Sequence, residues 1–197
     1  MYLYLDTSED LTLAVIHSDY ELIELSEIKT KKTSLVLQSS IDELMQKHEV
    51  TFSKLEGIIF CAGPGSYTGM RVGQGFVDIC GWQGIKTYSF YHFQIPKILN
   101  RDKGYWISKA FKGEDFIFSW DQKGESQSLI QSSESLTKMN GELYSRFSQF
   151  NDQSVISTQA LLKNHLKEIT EYVVEKNLQE PLFYYRPLEV EFKVPNA

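Results

Sequence analysis

The residues best placed to do chemistry lie in a glycine-punctuated segment, GPGSYTGMRVGQG, which runs from Gly63 to Gly75. Glycines beside Ser66 give the backbone freedom, and a helix that begins after the loop would direct unpaired N–H groups and a positive dipole end at an anion. The segment lacks the Lys-Ser/Thr pair that follows a glycine in a P-loop, and Thr68 stands where a dinucleotide fingerprint has its last glycine. It also lacks the Gly-x-Ser-x-Gly of a nucleophile elbow. Two interpretations stay open: an anion site, and a tight turn that permits close helix packing.

The histidines and cysteines indicate no catalytic metal or nucleophile. A metal-binding pair on one helix face needs regular spacing, which the four histidines do not have: His17, His48, His92 and His165. Cys61 lies in an apolar run and Cys80 in a predicted helix. We therefore predict buried thiols, no catalytic residue, no metal ligand and no cofactor on this chain.

The composition predicts a globular protein that does not bind nucleic acid by itself. The 197 residues are 42% hydrophobic and carry a formal net charge of −6, whereas nonspecific affinity for phosphates needs clustered Lys and Arg. The N-terminal MYLYLDTSED does not have the pattern of a signal peptide, and no apolar run reaches the roughly 18 residues of a membrane span. We therefore expect a cytoplasmic protein with no membrane partner.

The first half of the chain has clear periodic patterns. Short strands are predicted at Tyr2–Leu5, Leu11–His17 and Tyr20–Ile28, and the short links between them indicate an antiparallel meander. A helix follows from Thr33 or Ser34 to Lys47. The apolar run Gly57–Cys61 predicts a strand buried on both faces. A second helix at Tyr67–Trp82 and a strand at Lys86–Tyr88 complete this half.

The second half has weaker patterns. A hairpin is predicted from Gly104–Ala110 and Asp115–Asp121, with its turn near Lys112-Gly113 and a third strand at Ser126–Ile130. We predict a loop or the start of a short helix over Gln131–Asn140, helical structure at Leu143–Phe150, and a helix that Thr158 caps and that ends near Leu178. The turn residues near Asn100–Gly104 suggest two domains, residues 1–100 and residues 101–197 with the C-terminal helix.

This order of elements predicts an α/β protein with a two-lobed actin-like, ribonuclease-H-like ATPase fold. The N-terminal lobe would hold a mixed five-stranded sheet, and the second lobe would be smaller and divergent. Actin-like nucleotide sites place a carboxylate at the end of the first strand, which makes Asp6 the candidate here. The alternative is a structural turn in which Asp6 caps backbone N–H groups. The full set of candidate nucleotide contacts is Asp6, Thr7, Ser8, Gly63, Gly65 and Ser66.

Two motifs together resemble a known family. Asp6-Thr7-Ser8 and the block GIIFCAGPGSYTGMRVGQGF at Gly57–Phe76 are similar, in type and in spacing, to the bacterial TsaB family of tRNA threonylcarbamoyladenosine biosynthesis proteins. The resemblance covers about the first hundred residues. Lys32-Thr33-Ser34 replaces the family's usual His-Ser-Glu, and Pro181–Arg186 loosely resembles its closing motif.

The resemblance implies an accessory subunit. A TsaB-type protein binds and activates its catalytic homologue TsaD, which attaches a threonylcarbamoyl group to adenosine 37 of tRNA, and the ATPase TsaE belongs to the same system. ATP and metal would then lie on the partner subunits, and tRNA would be bound only through the complex. By matching positions, the subunit interface is expected on two helices, at Ser34, Leu37, Gln38, Ile41, Met45, Thr68, Gly69, Arg71, Val72, Gly73 and Phe76.

Two alternatives can be separated from this interpretation by experiment. The chain could be an ATP-binding actin-like enzyme with kinase- or transferase-type activity, which requires nucleotide affinity in isolation. The family's glycoprotease-like label suggests a peptidase, which no residue pattern here supports. We also predict a weak homodimer when the partner is absent, because an apolar helix pair made for a homologous subunit can pair with itself.

Overall fold

The computed structural model describes residues 1–110, 113–132, 139, 141–146 and 155–186. The chain divides into a first unit, Met1–Tyr91 with His165–Phe183, and a second unit, His92–Asn164 with Tyr184–Ala197. This division differs from the predicted domains in two respects. It falls between Tyr91 and His92, about ten residues earlier than predicted, and the chain returns to the first unit over His165–Phe183.

The first unit is built on a five-stranded mixed sheet with the order β3-β2-β1-β4-β5. β1 is antiparallel to β2 and parallel to β4, β2 is antiparallel to β3, and β4 is parallel to β5. All residues of β1, β2 and β4 are buried, as expected for apolar strands covered on both faces. The strands are β1 Tyr2–Asp6, β2 Leu11–Ile16, β3 Leu22–Ile28, β4 Gly57–Cys61 and β5 Thr87–Phe90.

Two long helices connect these strands. α1 spans Thr33–Lys47 and contacts β2, while α2 spans Tyr67–Trp82 and contacts β1, β4 and β5. The two helices also contact each other. α1 connects β3 to β4, and α2 connects β4 to β5. Because the two strands that each helix connects are parallel, both helices are antiparallel to β4 and begin at the same end of the sheet. The bounds predicted from the sequence for both helices are confirmed.

The second unit holds another five-stranded sheet, with the order β10-β9-β6-β7-β8. β6, β7 and β8 form the antiparallel meander, and β9 and β10 add parallel strands beside β6. The strands are β6 Gly104–Lys109, β7 Glu114–Asp121, β8 Gly124–Gln131, β9 Leu143–Ser145 and β10 Val155–Ser157. The predicted hairpin and third strand are therefore confirmed. Lys112 of the predicted turn and most of the predicted loop, residues 133–138 and 140, lie outside the described residues.

The helix predicted at Leu143–Phe150 is wrong for its first three residues. Leu143–Ser145 form β9, because Leu143 and Tyr144 pair with Tyr105 and Trp106 of β6. This pairing also buries Tyr144 completely, with its ring centre 5.6 Å from that of Trp120. Residues 147–150 of the predicted helix lie outside the described residues.

An aromatic cluster fills one side of the second sheet. Phe93 lies at its centre, with ring centroids 4.5 to 6.0 Å from those of Phe118, Phe116 and Trp106. Phe93 is held by a single 3₁₀ turn, His92–Gln94, which continues into the short helix α3, Ile95–Ile98. Both turns are too short to leave a periodic pattern in the sequence.

The single helix predicted from Thr158 to about Leu178 is two helices. α4 spans Thr158–Asn164 in the second unit, α5 spans Leu166–Glu175 in the first, and His165 interrupts them. α5 joins the first unit because it contacts β5 and buries Leu166, Ile169, Thr170 and Val173.

The predicted cap of α4 is also corrected. Ser157, not Thr158, caps the helix: its Oγ accepts a hydrogen bond from the N–H of Ala160 at 3.2 Å. Thr158 is fully buried instead. Its hydroxyl accepts from the indole N–H of Trp106 at 3.3 Å and lies 3.2 Å from Nδ1 of His92.

We expect Thr158→Val to lower the free energy of unfolding by about 1–3 kcal/mol, because it leaves the buried indole N–H of Trp106 without its acceptor. Thr158→Ser keeps the hydroxyl and is the matched control. Urea denaturation followed by tryptophan fluorescence measures both variants. Equal stability of the valine variant and the unchanged protein would contradict this role for the hydroxyl.

Candidate functional site

The glycine loop between β4 and α2 lies directly on the turn that follows β1. The Ser66 N–H donates to the Ser8 carbonyl at 2.5 Å. A Cβ built on Gly65 would come closer than 3.0 Å to the backbone of Ser8, so no larger residue fits there without moving the chain. Gly63 has a φ of +110°, in the region that favours glycine. These contacts hold the loop and the turn against each other.

The first turn of α2 is closed by its own cap and by the same turn. The Ser66 side chain accepts a hydrogen bond from the Gly69 N–H at 3.2 Å. Cβ atoms on Gly69 and Gly73 would come closer than 3.0 Å to the Thr7 carbonyl and the Thr7 hydroxyl, respectively. Gly73 also lies against the ring of Phe60. The glycines therefore let α2 approach the first strand, and protein atoms occupy the space beside them.

Asp6 has the geometry of a turn cap. Its Oδ1 accepts from the Ser8 backbone N–H at 2.8 Å and from the Ser8 hydroxyl at 2.7 Å. Asp6, Thr7 and Ser8 are all at most 1% exposed. This arrangement fits the structural alternative for Asp6. The structure thus brings the six candidate nucleotide contacts together. The contacts described for them are with neighbouring protein atoms, mostly within this same group.

Both cysteines are free thiols of the first unit. Cys61 and Cys80 are both buried, and burial raises the pKa of the Cys80 thiol above its ordinary value. Because the thiolate is the reactive form, a raised pKa keeps Cys80 unreactive at neutral pH. Both residues fit the prediction of buried thiols.

The surface of α2 that faces away from the sheet carries a stripe of apolar and small residues. Starting at Thr68, the stripe steps by four, three, four and three residues, which is the spacing that helices use along a packing seam. Ile79 is 51% exposed and Trp82 is 85% exposed. A Cβ on Gly75 would meet nothing within 4 Å. We call this surface the α2 stripe: Thr68, Val72, Gly75, Ile79 and Trp82.

Five of the predicted interface residues are buried in the first unit. Leu37, Ile41 and Met45 of α1 are at most 6% exposed and face the core. Gly69 and Gly73 are buried, and their missing side chains allow close packing within the first unit, against Thr7 and Phe60. Those five predicted interface residues are therefore buried in the first unit of the isolated chain.

The other predicted interface residues are accessible. Ser34, Gln38, Thr68 and Arg71 are exposed, and Val72 and Phe76 are partly so. Arg71 lies over the ring of Tyr67, one turn earlier on α2, with its guanidinium carbon 4.4 Å from the ring centre. Phe76 packs near Phe52, with ring centres 6.1 Å apart.

The sequence prediction missed three exposed apolar residues on these helices. Leu35 on α1 is 72% exposed, and Ile79 and Trp82 lie on the last turns of α2. The signal was present, since Val72, Ile79 and Trp82 follow Thr68 at seam spacing. However, Met70, Val77 and Cys80 form a second apolar face on the same helix, and only that face is buried in the first unit.

Among the described residues, no helix combines the length and the hydrophobicity that crossing a membrane requires.

Comparison with known proteins supports the resemblance seen in the sequence. A family model described as "TsaD: tRNA N6-adenosine threonylcarbamoyltransferase" matches residues 26–86, from within β3 to the residue before β5. The search of curated proteins gives no significant match.

Two solved structures share the fold along nearly the whole chain. One is YeaZ from Pseudomonas aeruginosa, with 14% identity, a TM-score of 0.65, and coverage of 95% of this chain and 99% of that one. The other is described as an uncharacterized protein with similarity to peptidase YeaZ from Pseudomonas aeruginosa. It has 15% identity, a TM-score of 0.64, and coverage of 94% and 99%. YeaZ is the TsaB homologue. The predicted α/β fold is therefore confirmed, and the family model agrees over residues 26–86 with the resemblance seen in the sequence.

Proposed function

We propose that the chain is a TsaB-type accessory subunit that binds and activates a TsaD-like catalytic homologue in N6-threonylcarbamoylation of tRNA adenosine 37. The exposed α2 stripe is the observation that carries this proposal. An indole that is 85% exposed beside an isoleucine that is 51% exposed is costly to leave in water. Exposed apolar surface of this kind marks an interaction site.

The family match supports a helical partner related to this chain. Residues 26–86 include both α1 and α2, so the matched region contains the proposed docking helices. A homologous partner would present its own helix pair, and two helices can pack closely where Gly75 leaves a gap in the stripe. The stripe is thus suited to a helix of the TsaD-like protein.

The contacts of the glycine loop support a role without chemistry of its own. The Asp6–Ser8 turn fills the space beside Gly65 and Gly69, and the Ser66 side chain bonds the Gly69 N–H. In this proposal ATP and metal are bound by the TsaD-like subunit and a TsaE-like ATPase. tRNA is then bound through the complex.

Reconstituted threonylcarbamoylation tests the proposal. We expect the modification of a substrate tRNA by the TsaD-like and TsaE-like proteins to need this chain, and to be restored when the purified chain is added. Undiminished activity without the chain would overturn the proposal. Micromolar affinity of the isolated chain for ATP, lost in Asp6→Ala, would instead favour an enzyme.

A further inference from the structure

The strongest unassigned feature is a cleft in the second unit, at the end of the sheet where β7 turns into β8. Its volume is about 370 Å³, within the range of small-ligand pockets. The side chains of this lining that carry the inference below are Lys103, Tyr105, Ser119, Lys123 and Ser126. We call it the Tyr105 cleft. It lies on the sheet face opposite the aromatic cluster, because Tyr105 and Trp106 are consecutive residues of β6 and point to opposite faces.

A polar row crosses three strands at this cleft. Tyr105 pairs with Ser119, and Ser119 pairs with Ser126, so the three side chains lie side by side on one face. Two residues further along the strands, the same face becomes apolar, with Ile107 and Ile117 buried. The two serine hydroxyls are 2.7 Å apart. One of them donates to the other, which leaves one hydroxyl hydrogen to donate to a ligand.

Two lysines at the cleft have no acidic partner among the described residues. Lys103 and Lys123 are both exposed. Of the acids that also line the cleft, Glu125 pairs with Lys97, whereas Asp121 accepts the backbone N–H of Lys123 at 2.7 Å and keeps its negative charge, so in the described part of the chain the two lysines are opposed by one uncompensated carboxylate. The cleft therefore offers two ammonium groups to an anion, although the whole chain carries a net charge of −6.

Two of the glycines that line the cleft are Gly124 and Gly141. A Cβ on Gly124 would meet nothing within 4 Å, and Gly124 has a φ of +140° at the start of β8. Gly141 lies against the Tyr105 ring, where a Cβ would be only 3.3 Å from the ring edge. The partly exposed Tyr105 ring thus forms a wall beside the hydroxyls and ammonium groups.

We propose that the Tyr105 cleft binds a single nucleotide unit. Its base would stack on Tyr105 and its phosphate would be held by Lys103, Lys123 and the serine hydroxyls. Aromatic rings stack on bases of any identity, and lysine binds phosphate as a point charge. The nucleotide comes either from solution or from single-stranded RNA. This inference does not depend on the function proposed above, because it concerns other residues in the other unit.

Titration of the full-length chain with adenosine 5′-monophosphate tests the cleft. We expect saturable binding with a Kd below about 1 mM. Lys103→Gln combined with Lys123→Gln should weaken it at least about tenfold, because both phosphate contacts are lost. Tyr105→Leu should weaken it at least about fivefold while leaving weak binding of inorganic phosphate unchanged.

Lys31→Gln combined with Lys176→Gln is the matched control, since it removes the same charge from two exposed positions outside the cleft. No saturable binding, or an equal loss in this control, would overturn the site. Inorganic phosphate binding as tightly as the nucleotide would overturn the base contact. A short single-stranded RNA distinguishes the sources: tighter binding than the mononucleotide identifies RNA, and equal binding identifies a free nucleotide. Either result supports the nucleotide site if the cleft variants weaken the binding.

Discussion

Ile79→Asp combined with Trp82→Asp is expected to abolish copurification of the chain with its TsaD-like partner and to weaken binding at least about 100-fold. Tryptophans at the centre of interfaces commonly contribute 2 kcal/mol or more, and each aspartate would bring an unpaired charge into an apolar contact. Both positions are exposed in the first unit, at 51% and 85%, so the fold should tolerate the changes. Calorimetry with the purified partner measures the affinity.

The matched control makes the same type of change on other surfaces of the first unit. Ile23 on β3 is 40% exposed and Tyr172 on α5 is 39% exposed, and both lie outside the α2 stripe. Ile23→Asp combined with Tyr172→Asp should leave binding within about threefold of the unchanged protein. Equal losses in the two double variants would show that charge alone, not the stripe, determines binding.

The same stripe variant also tests the predicted homodimer. If the isolated chain self-associates through the α2 stripe, light scattering at high concentration should detect dimers, and Ile79→Asp with Trp82→Asp should return the chain to a monomer. Monomers of the unchanged protein at every concentration would contradict the homodimer prediction while leaving the heterodimer to its own test.

Gly69→Ala is expected to lower the free energy of unfolding by about 1–3 kcal/mol, although alanine is the better helix former. The added Cβ would come closer than 3.0 Å to the Thr7 carbonyl, which is backbone and cannot move aside as a side chain would. Overpacking of this kind outweighs the helix preference of about 1 kcal/mol for alanine over glycine. Thermal and urea denaturation of the purified chain measure the change.

Gly75→Ala is the matched control on the same helix. The Cβ of the new alanine would meet nothing within 4 Å, so only the helix preference of alanine acts. We expect the free energy of unfolding to rise by about 0.5–1 kcal/mol. Opposite signs for these two substitutions are the result that the packing of α2 on the Asp6–Ser8 turn requires. A stabilised Gly69→Ala variant would show that the Thr7 backbone can shift at little cost in free energy.

Local patterns were sufficient for most elements of the first unit. The bounds of β4 and α2 agree with the prediction to the residue, because an apolar run and a glycine junction with Ser66 as cap are signals contained within a few residues. The second unit was harder. β9 exists because Leu143 and Tyr144 pair with β6, almost forty residues earlier, and no short window contains that information.

The sequence by itself determined that Gly63–Gly75 forms a strand-to-helix junction, and its motifs indicated a TsaB-like protein. Only the tertiary structure decided what each face of α2 does, because the helix has apolar residues on two sides and periodicity cannot say which side meets the sheet. Close approach to Thr7 and Phe60 selects the side with Gly69 and Gly73, since only glycine fits there. Trp82 and Ile79 are thereby left at the surface, and the surface proposed for partner binding moves from the buried glycines to the α2 stripe.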